Sequence, residues 1–536
     1  MDRGAKSGVD AAGAAAGAWG PLRHPVFRSI WIASVVSYVG TWMHDVSAAW
    51  LMTTLAPEPF QVALVQAATT APMFLLALPA GALADIVDRR RILIASQTWM
   101  LAAASLLGAM ALAGAVTPWV LLAATFALGT GAALNAPAWQ AIAAELVPRS
   151  ELAAAITLNG VGMNLARAVG PAIGGAIVAA AGPSTAFLLN AVSFLGVIVA
   201  LLRWQRPARE STLPPERFLG AIRAGVRYVR RAPPLRAVLI RAGAFMFGGS
   251  AVWALLPIYT HVILERGPAV YGALLGCFGT GAVLGAVLLP RLRRALSMEG
   301  VVTAAIPAFA LAALILAWRR EMGLLVPALL VGGAAWLTLL SSFNVAAQTS
   351  LPGWVRARAL ATYLVVIFGA LAIGSTFWGW MASHAGVPAA LAASSLVALG
   401  GLTLRWRFPL RSSEGVDLAP SLHWPAAPVL EETEHDRGPV LVTVEYRIDP
   451  ARARDFADSM SELRRIRERD GAIFWELFED AADPRRHVEC FLVDSWIEHL
   501  RQHERVTAED RMLENRARAF HTGDAPPVVS HLIATE

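Results

Sequence analysis

Apolar runs recur along the chain at residues 28–51, 61–84, 91–114, 118–140, 153–181, 185–203, 237–260, 268–290, 300–317, 322–347, 357–382 and 387–405. Each is long enough to cross about 30 Å of hydrocarbon. Amides in hydrocarbon must be satisfied within their own segment, so each run is predicted as a helix. After Arg405 the pattern changes, and Pro409, Pro420, Pro425 and Pro428 mark a polar linker that ends near Gly438. Beyond it, residues 440–448, 472–478 and 487–493 alternate with the period of strands. Residues 451–469 are amphipathic, 495–520 read as helix, and 528–534 close with a strand.

These elements predict an all-α polytopic membrane body of 12 transmembrane helices in two six-helix halves, followed by a small α+β domain. The order βαββαβ is that of a ferredoxin-like domain. The expected divisions are a flexible cytoplasmic N-terminus (1–26), a first half (27–204), a basic cytoplasmic linker (205–236), a second half (237–405), a linker (406–438) and the α/β domain (439–536). The first 26 residues are rich in Ala and Gly and lack a signal-peptide core with a cleavage site.

Composition agrees, with 56% hydrophobic residues, 16% charged and a mean hydropathy of +0.52. The net charge of +6 hides an uneven distribution. Residues 439–536 carry 20 acidic and 14 basic side chains, so the membrane body is strongly basic. Its arginines are scattered over short loops, which membrane topology explains better than a nucleic-acid partner, and no nucleic acid is expected. The connections after predicted helices 2, 4, 6, 8 and 10 hold Arg89, Arg90, Arg91, Arg149, the stretch 203–241, Arg291, Arg293, Arg294, Arg356 and Arg358. Loops near Glu58, Thr117 and Pro183 have no basic residue, and Arg266, Arg319 and Arg320 are the exceptions. The positive-inside rule therefore puts both termini and the α/β domain in the cytoplasm of a bacterial inner membrane. Cys277 and Cys490 are the only cysteines, too few for a disulfide framework or a CxxC metal site.

A single offset of 204 relates the two halves: Gly81-Ala82 to Gly285-Ala286, Arg89 and Arg90 to Arg293 and Arg294, Gly129 to Gly333, Pro148 to Pro352, and Gly170 to Gly374. A constant offset across several loops and helices indicates internal duplication.

The most specific motif is Gly81-Ala-Leu-Ala-Asp85-Ile-Val-Asp88-Arg89-Arg90-Arg91 between the second and third runs. Glycine admits a neighbouring helix, and Asp85 can pair with arginine or cap a helix start. Gly81, Asp85, Arg89 and Arg90 are thus candidates for a gate, against the plainer reading of a charged anchor. The motif resembles the loop signature of the major facilitator superfamily, departing from it at Ile86, where a basic residue is usual, and at Asp88, where glycine is usual. The stretches Asn135-Ala-Pro-Ala-Trp139-Gln140, Glu145-Leu-Val-Pro148-Arg149-Ser-Glu151-Leu152 and Asn164-Leu-Ala-Arg167-Ala-Val-Gly170-Pro171-Ala-Ile-Gly174-Gly175 resemble its transmembrane secretion effector branch, which includes enterobactin exporters. That resemblance spans about residues 22–410 and implies a secondary transporter of small molecules.

Gly170, Pro171, Gly174 and Gly175 also resemble the antiporter signature of drug exporters; physically, they offer a close helix crossing with a bend at proline. The arginine usual in the fourth helix of proton-coupled exporters is here Thr125. Asp45 and Arg167 are the substitutes, each costing about 2.5–3.5 kcal/mol at mid-bilayer. Counted along their helices they lie about 25 Å and about 21 Å from the cytoplasmic ends. They are candidates for proton coupling, or for a static bridge.

Uncharged polar side chains inside the runs, Asn135, Gln140, Asn159, Asn164, Asn190, Asn344 and Gln348, either contact substrate or hold helices together. Trp42, Trp253, Trp336 and Phe377 are candidates for the same cavity, or for interfacial anchors. The tail, with Phe474-Trp475, Phe491, Ser495-Trp496, His499-Leu500 and His503, resembles the antibiotic-biosynthesis-monooxygenase type of dimeric α/β-barrel domain, which implies a homodimer through its sheet. Fold does not carry function, and a structural or ligand-sensing tail is the preferred reading. His499 and His503 stand four apart on one helix face, a weak zinc cue beside His487 and His521. The expectation is no metal, no cofactor and no enzyme activity. Walker A, Rossmann and GxSxG patterns do not occur. Taken together, the chain is expected to be a proton-driven exporter of a lipophilic or amphipathic small molecule such as a siderophore, drug or secondary metabolite. The rivals are an importer, a membrane-tethered monooxygenase and a ligand sensor.

Overall fold

The computed structural model describes residues 19–204, 228–352, 354–410, 421, 424 and 437–534. The leader up to residue 18, most of the basic linker and most of the linker before the α/β domain lie outside the described residues, as do the side chains of Asp85, Arg149 and Arg358.

The long helices are α1 (Pro25–Leu55), α2 (Pro59–Ile86), α3 (Arg89–Leu112), α4 (Pro118–Leu146), a 52-residue run Leu152–Arg203, α7 (Pro233–Ile258), α8 (Pro268–Ala295), α9 (Met298–Trp318), α10 (Met322–Thr349), α11 (Arg356–Ala385) and α12 (Val387–Gly400), which runs through a 3-10 turn into the short α13 (Leu404–Arg407). Within the 52-residue run, Gly182 takes φ +80, a left-handed conformation that suits glycine, and divides the run into α5 (152–181) and α6 (183–203). At about 1.5 Å per residue the whole run would cross the hydrocarbon twice. Ten of the helical segments are long and apolar enough to cross a membrane, the 52-residue run counted once. The 31-residue α1 is not among them, because its polar residues, His44 and Asp45 included, lower its hydropathy.

Proline at the first turn of α1, α2, α4, α8 and α12, and Asp88, Thr117 and Ser297 as N-caps of α3, α4 and α9, set the helix starts. Exposed apolar side chains such as Leu106, Val192, Leu311 and Leu396 lie along the helices, as lipid contact requires. Trp119, Trp318 and Trp406, more than 70% exposed, lie at helix ends where interfacial anchors belong.

The described residues form two compact units. The first contains 19–204, 238–344 and 363–410. There α1 packs on α5, α5 on α8, α2 on α4, α3 on α4 and on the run holding α5 and α6, and α9 on α12.

The second unit contains the tail domain together with residues 228–237, 345–352 and 354–362. Its sheet has the order β2-β3-β1-β4, all antiparallel, from β1 (Val440–Arg447), β2 (Phe474–Glu479), β3 (Arg486–Val493) and β4 (Val528–Ile533). One face is covered by α14 (Ala453–Asp470), α15 (Trp496–Arg505) and α16 (Ala508–Arg518) around Phe456, Met460, Leu463, Phe491 and Trp496. The helix expected over 495–520 is two helices, because Thr507 starts a new one with a capping box to Asp510. The other face carries Leu441, Phe474, Phe478, Leu492, Val528 and Leu532, with Phe474, Phe478, Val528 and Leu532 each more than 45% exposed.

Candidate functional site

In the membrane unit, glycines set how closely the helices approach. A methyl group at Gly170 would lie 2.6 Å from Cβ of Trp42, and one at Gly174 would lie 2.8 Å from Cα of Met43, so both face α1. Gly175 faces α8, where a methyl would meet Pro268 O at 2.5 Å and Gly272 Cα at 2.8 Å. Gly276 and Gly279 continue that seam against Ala168, Ala172 and the carbonyl of Arg167. Close backbone approach of this kind admits no side chain.

The 204-residue offset recurs in these contacts. Gly129 on α4 meets Pro72 of α2, and Gly333 on α10 meets Phe278 of α8; Gly170 meets α1, and Gly374 on α11 meets Phe247 and Ser250 of α7. Two positions break it. A side chain at Gly81 would begin with no atom of the described residues within 4 Å, whereas Gly285 lies against Ala334. Arg89 Nη1 donates to Glu145 Oε1 at 2.9 Å, but Nε and Nη2 of its counterpart Arg293 have no hydrogen-bond partner among the described residues, since the offset carries Glu145 to Thr349.

Arg90 donates to the carbonyls of Leu201 and Leu202, both at 2.9 Å, capping the negative end of α6. Asp88 caps α3 by accepting from the Arg91 amide at 3.0 Å. The arginine motif therefore ties the start of α3 to the ends of α4 and α6.

The seam between α2 and α11 is closed near the start of α2. A methyl at Gly379 would collide with Ala63 and the Phe60 backbone, and the Phe60 amide donates to Ser383 Oγ at 3.1 Å. Further along, Gly369 lies against Phe74.

Asp45 and Arg167 are both half-buried and form no ion pair with each other; Arg167 donates to Asn164 Oδ1 at 3.5 Å. Beside Asp45, His44 is 2% exposed, with both ring nitrogens unpartnered and its ring 4.7 Å from Phe187. Sequence reasoning passed over His44, although a histidine next to an aspartate in an apolar run is a visible signal. It also counted Arg241 only among the basic stretch 203–241, whereas the residue is 2% exposed and its Nη1 alone donates to both oxygens of Glu299, at 2.7 and 2.5 Å. That carboxylate also accepts from the Leu410 amide.

Asn135 accepts from Ser96 and Gln97 of α3, and Asn190 lies against Gly40 of α1, so both join helices. Asn164 donates to Gly160 O of its own helix, Asn159 is half-buried and Gln140 is exposed. Asn344 and Gln348 both have partners. Trp42, Trp253 and Trp336 form one aromatic chain, at 6.0 and 5.7 Å, with Phe278, Phe245 and Phe309 around it. Phe377 belongs to a separate cluster with Phe247, Trp378 and Trp380.

In the tail, Arg467 is buried between Glu489 at 3.0 Å and Glu514 at 2.7 Å. Burial alone would lower its pKa, but the two carboxylates outweigh burial and raise it. Trp475 donates to Glu489, and Trp424 donates to Glu514 while lying under the Arg467 guanidinium. Next to this network the ring nitrogens of His499, His503 and His531 gather within 4.8 Å of one another. Burial pushes His499 down to about 3 and His503 to about 4, so both rings are neutral at pH 7.

Ten helical segments long and apolar enough to cross a membrane, joined by close glycine seams, are the build of a multi-pass membrane transporter of small molecules. The chain belongs to the transmembrane secretion effector family, of the major facilitator type, which it matches over residues 16–536. It is 22% identical over 268 residues to the staphyloferrin A transporter of Staphylococcus aureus (50% of this chain, 67% of that protein). It is 25% identical over 380 residues to the multidrug efflux pump Tap of Mycolicibacterium fortuitum (68% and 91%). Among solved structures it shares its fold with a bacterial homolog of the human lysosomal transporter Spinster, at TM-score 0.57 and 15% identity, covering 73% of this chain and 98% of that one. A POT family transporter gives TM-score 0.57 at 13% identity, covering 71% and 95%. The relatives are transporters, and the protein is not an enzyme.

Proposed function

We propose that the protein is a proton-coupled exporter of a lipophilic or amphipathic small molecule, working by alternating access between two six-helix halves. The observation that carries this reading is the contrast along α2, with Ala63 and Phe60 sealed against α11 while Gly81 stands clear. With arginine-rich loops in the cytoplasm, the sealed end is outward and the clear end inward. Asp85, Arg89 and Arg90 then belong to a cytoplasmic gate that closes in the opposite state. Twelve spans follow from counting α1 and both arms of the run Leu152–Arg203.

The aromatic chain Trp42–Trp253–Trp336, joining α1, α7 and α10, suits an apolar substrate. The names of the relatives, a siderophore transporter and a multidrug pump, support substrates of that kind. Asp45 and Arg167 are the proposed coupling pair, meeting in one state and parted in another. The tail is a cytoplasmic ferredoxin-like domain whose apolar sheet face, Leu441, Phe474, Phe478, Leu492, Val528 and Leu532, suits pairing with a second copy.

Uptake of lipophilic dyes and siderophores into inside-out vesicles, with and without an imposed pH gradient, tests this reading. Accumulation that collapses with the gradient is the expected result. Accumulation only in right-side-out vesicles would make the protein an importer, and gradient-independent equilibration would remove proton coupling.

A further inference from the structure

Three histidines from two elements converge in the tail. His499 and His503 stand one turn apart on α15, and His531 projects from β4, the edge strand, on the face that the helices cover. The Nε2 atoms of His499 and His503 are 3.2 Å apart. Tetrahedral zinc with nitrogen ligands at about 2.0–2.1 Å holds those nitrogens about 3.3 Å from one another. The third imidazole has its ring centroid 4.7 Å from that of His499, and one nitrogen of each ring lies within 4.8 Å of the others, so the three rings share one cluster that a metal would draw together.

The other nitrogen of His499 has a partner of its own. Nδ1 lies 3.3 Å from Gln502 Oε1; in the tautomer protonated at Nδ1 the ring donates to that oxygen and Nε2 offers its lone pair to the cluster. Trp496 stands 5.4 Å from the His499 ring and 5.8 Å from that of His531, and Trp424 meets His503 edge-on at 4.8 Å, so aromatic rings flank the cluster. The Arg467 guanidinium nearby is outnumbered by its partners Glu489 and Glu514, so the surroundings do not repel a cation.

We propose that His499, His503 and His531 form a three-imidazole site for a divalent first-row transition metal such as zinc, with one coordination position left open. Three nitrogens without an oxygen ligand select zinc, copper, nickel or cobalt over magnesium or calcium.

Metal-free full-length protein in detergent, purified without a histidine tag, titrated with cobalt(II) chloride, tests the site. One equivalent should give the visible absorption of four-coordinate cobalt, displaced by zinc. His531→Gln and His503→Gln should abolish the saturable signal, His521→Gln should leave it unchanged, and Gln502→Ala should weaken binding about tenfold. If a variant fails to fold, X-ray absorption of the zinc-loaded wild-type protein decides, with histidine nitrogens near 2.0 Å expected. A cobalt signal absent from the wild type or kept by His531→Gln overturns the site, and so does a shell of oxygen or sulfur alone.

Discussion

An isolated charge inside a membrane helix is expensive enough that its neighbours report on its use. Asp45 has no ion-pair partner among the described residues, and Arg167 settles for the side chain of Asn164. A coupling role therefore needs Asp45 to gain a partner or a proton during the cycle. Asp45→Asn should abolish flux driven by a pH gradient in vesicles while leaving substrate exchange; gradient-driven flux that survives would exclude it as the coupling site. Gly175 offers a steric test, because its absent side chain is what brings α5 against Gly272 and Pro268. Gly175→Leu should lower the transport rate more than tenfold at unchanged membrane insertion, and its overpacking should cost about 1–3 kcal/mol in a detergent melting assay.

At the scale of elements, the tail helices do more than cover their own sheet. The Arg505 guanidinium at the end of α15 lies 4.8 Å over Trp354, in the connection between α10 and α11. Arg469 at the end of α14 lies 5.7 Å over Tyr228, which meets Trp354 edge-on at 5.7 Å, and Arg231 pairs with Glu468. The tail thereby grips the segment leading into α7 and the loop joining α10 to α11. Trp354→Ala removes a cation–π contact and an aromatic pair together, a loss of about 1–2 kcal/mol. The Ala232 amide, which donates to Tyr228 O at 2.8 Å, should then exchange hydrogen about tenfold faster. Apolar length and the period-two pattern made the elements legible in the sequence, down to the sheet strands within one or two residues. The contacts of Trp354 and Tyr228 were not, since a tryptophan or tyrosine in a connecting segment carries no sign of a partner more than a hundred residues away. His531 was missed for the same reason, because a strand residue shows no periodic link to a helix earlier in the chain.

For the whole molecule, the repeat predicts an exchange between two states, because duplicated halves related by a constant offset can meet at either end of the same seam. The described structure has one end joined, at Ala63 and Gly379. A chain carrying Ala63→Cys and Gly379→Cys, with Cys277 and Cys490 replaced by serine, places two thiols where a slight separation reaches the Cβ spacing of a disulfide, about 3.8 Å. Oxidation should cross-link α2 to α11 within one chain, visible as altered gel mobility after cleavage between the halves, and should stop flux; reduction should restore it. Cross-linking that leaves transport intact would mean that this seam never opens, and that the substrate passes by a route that does not require the halves to part there.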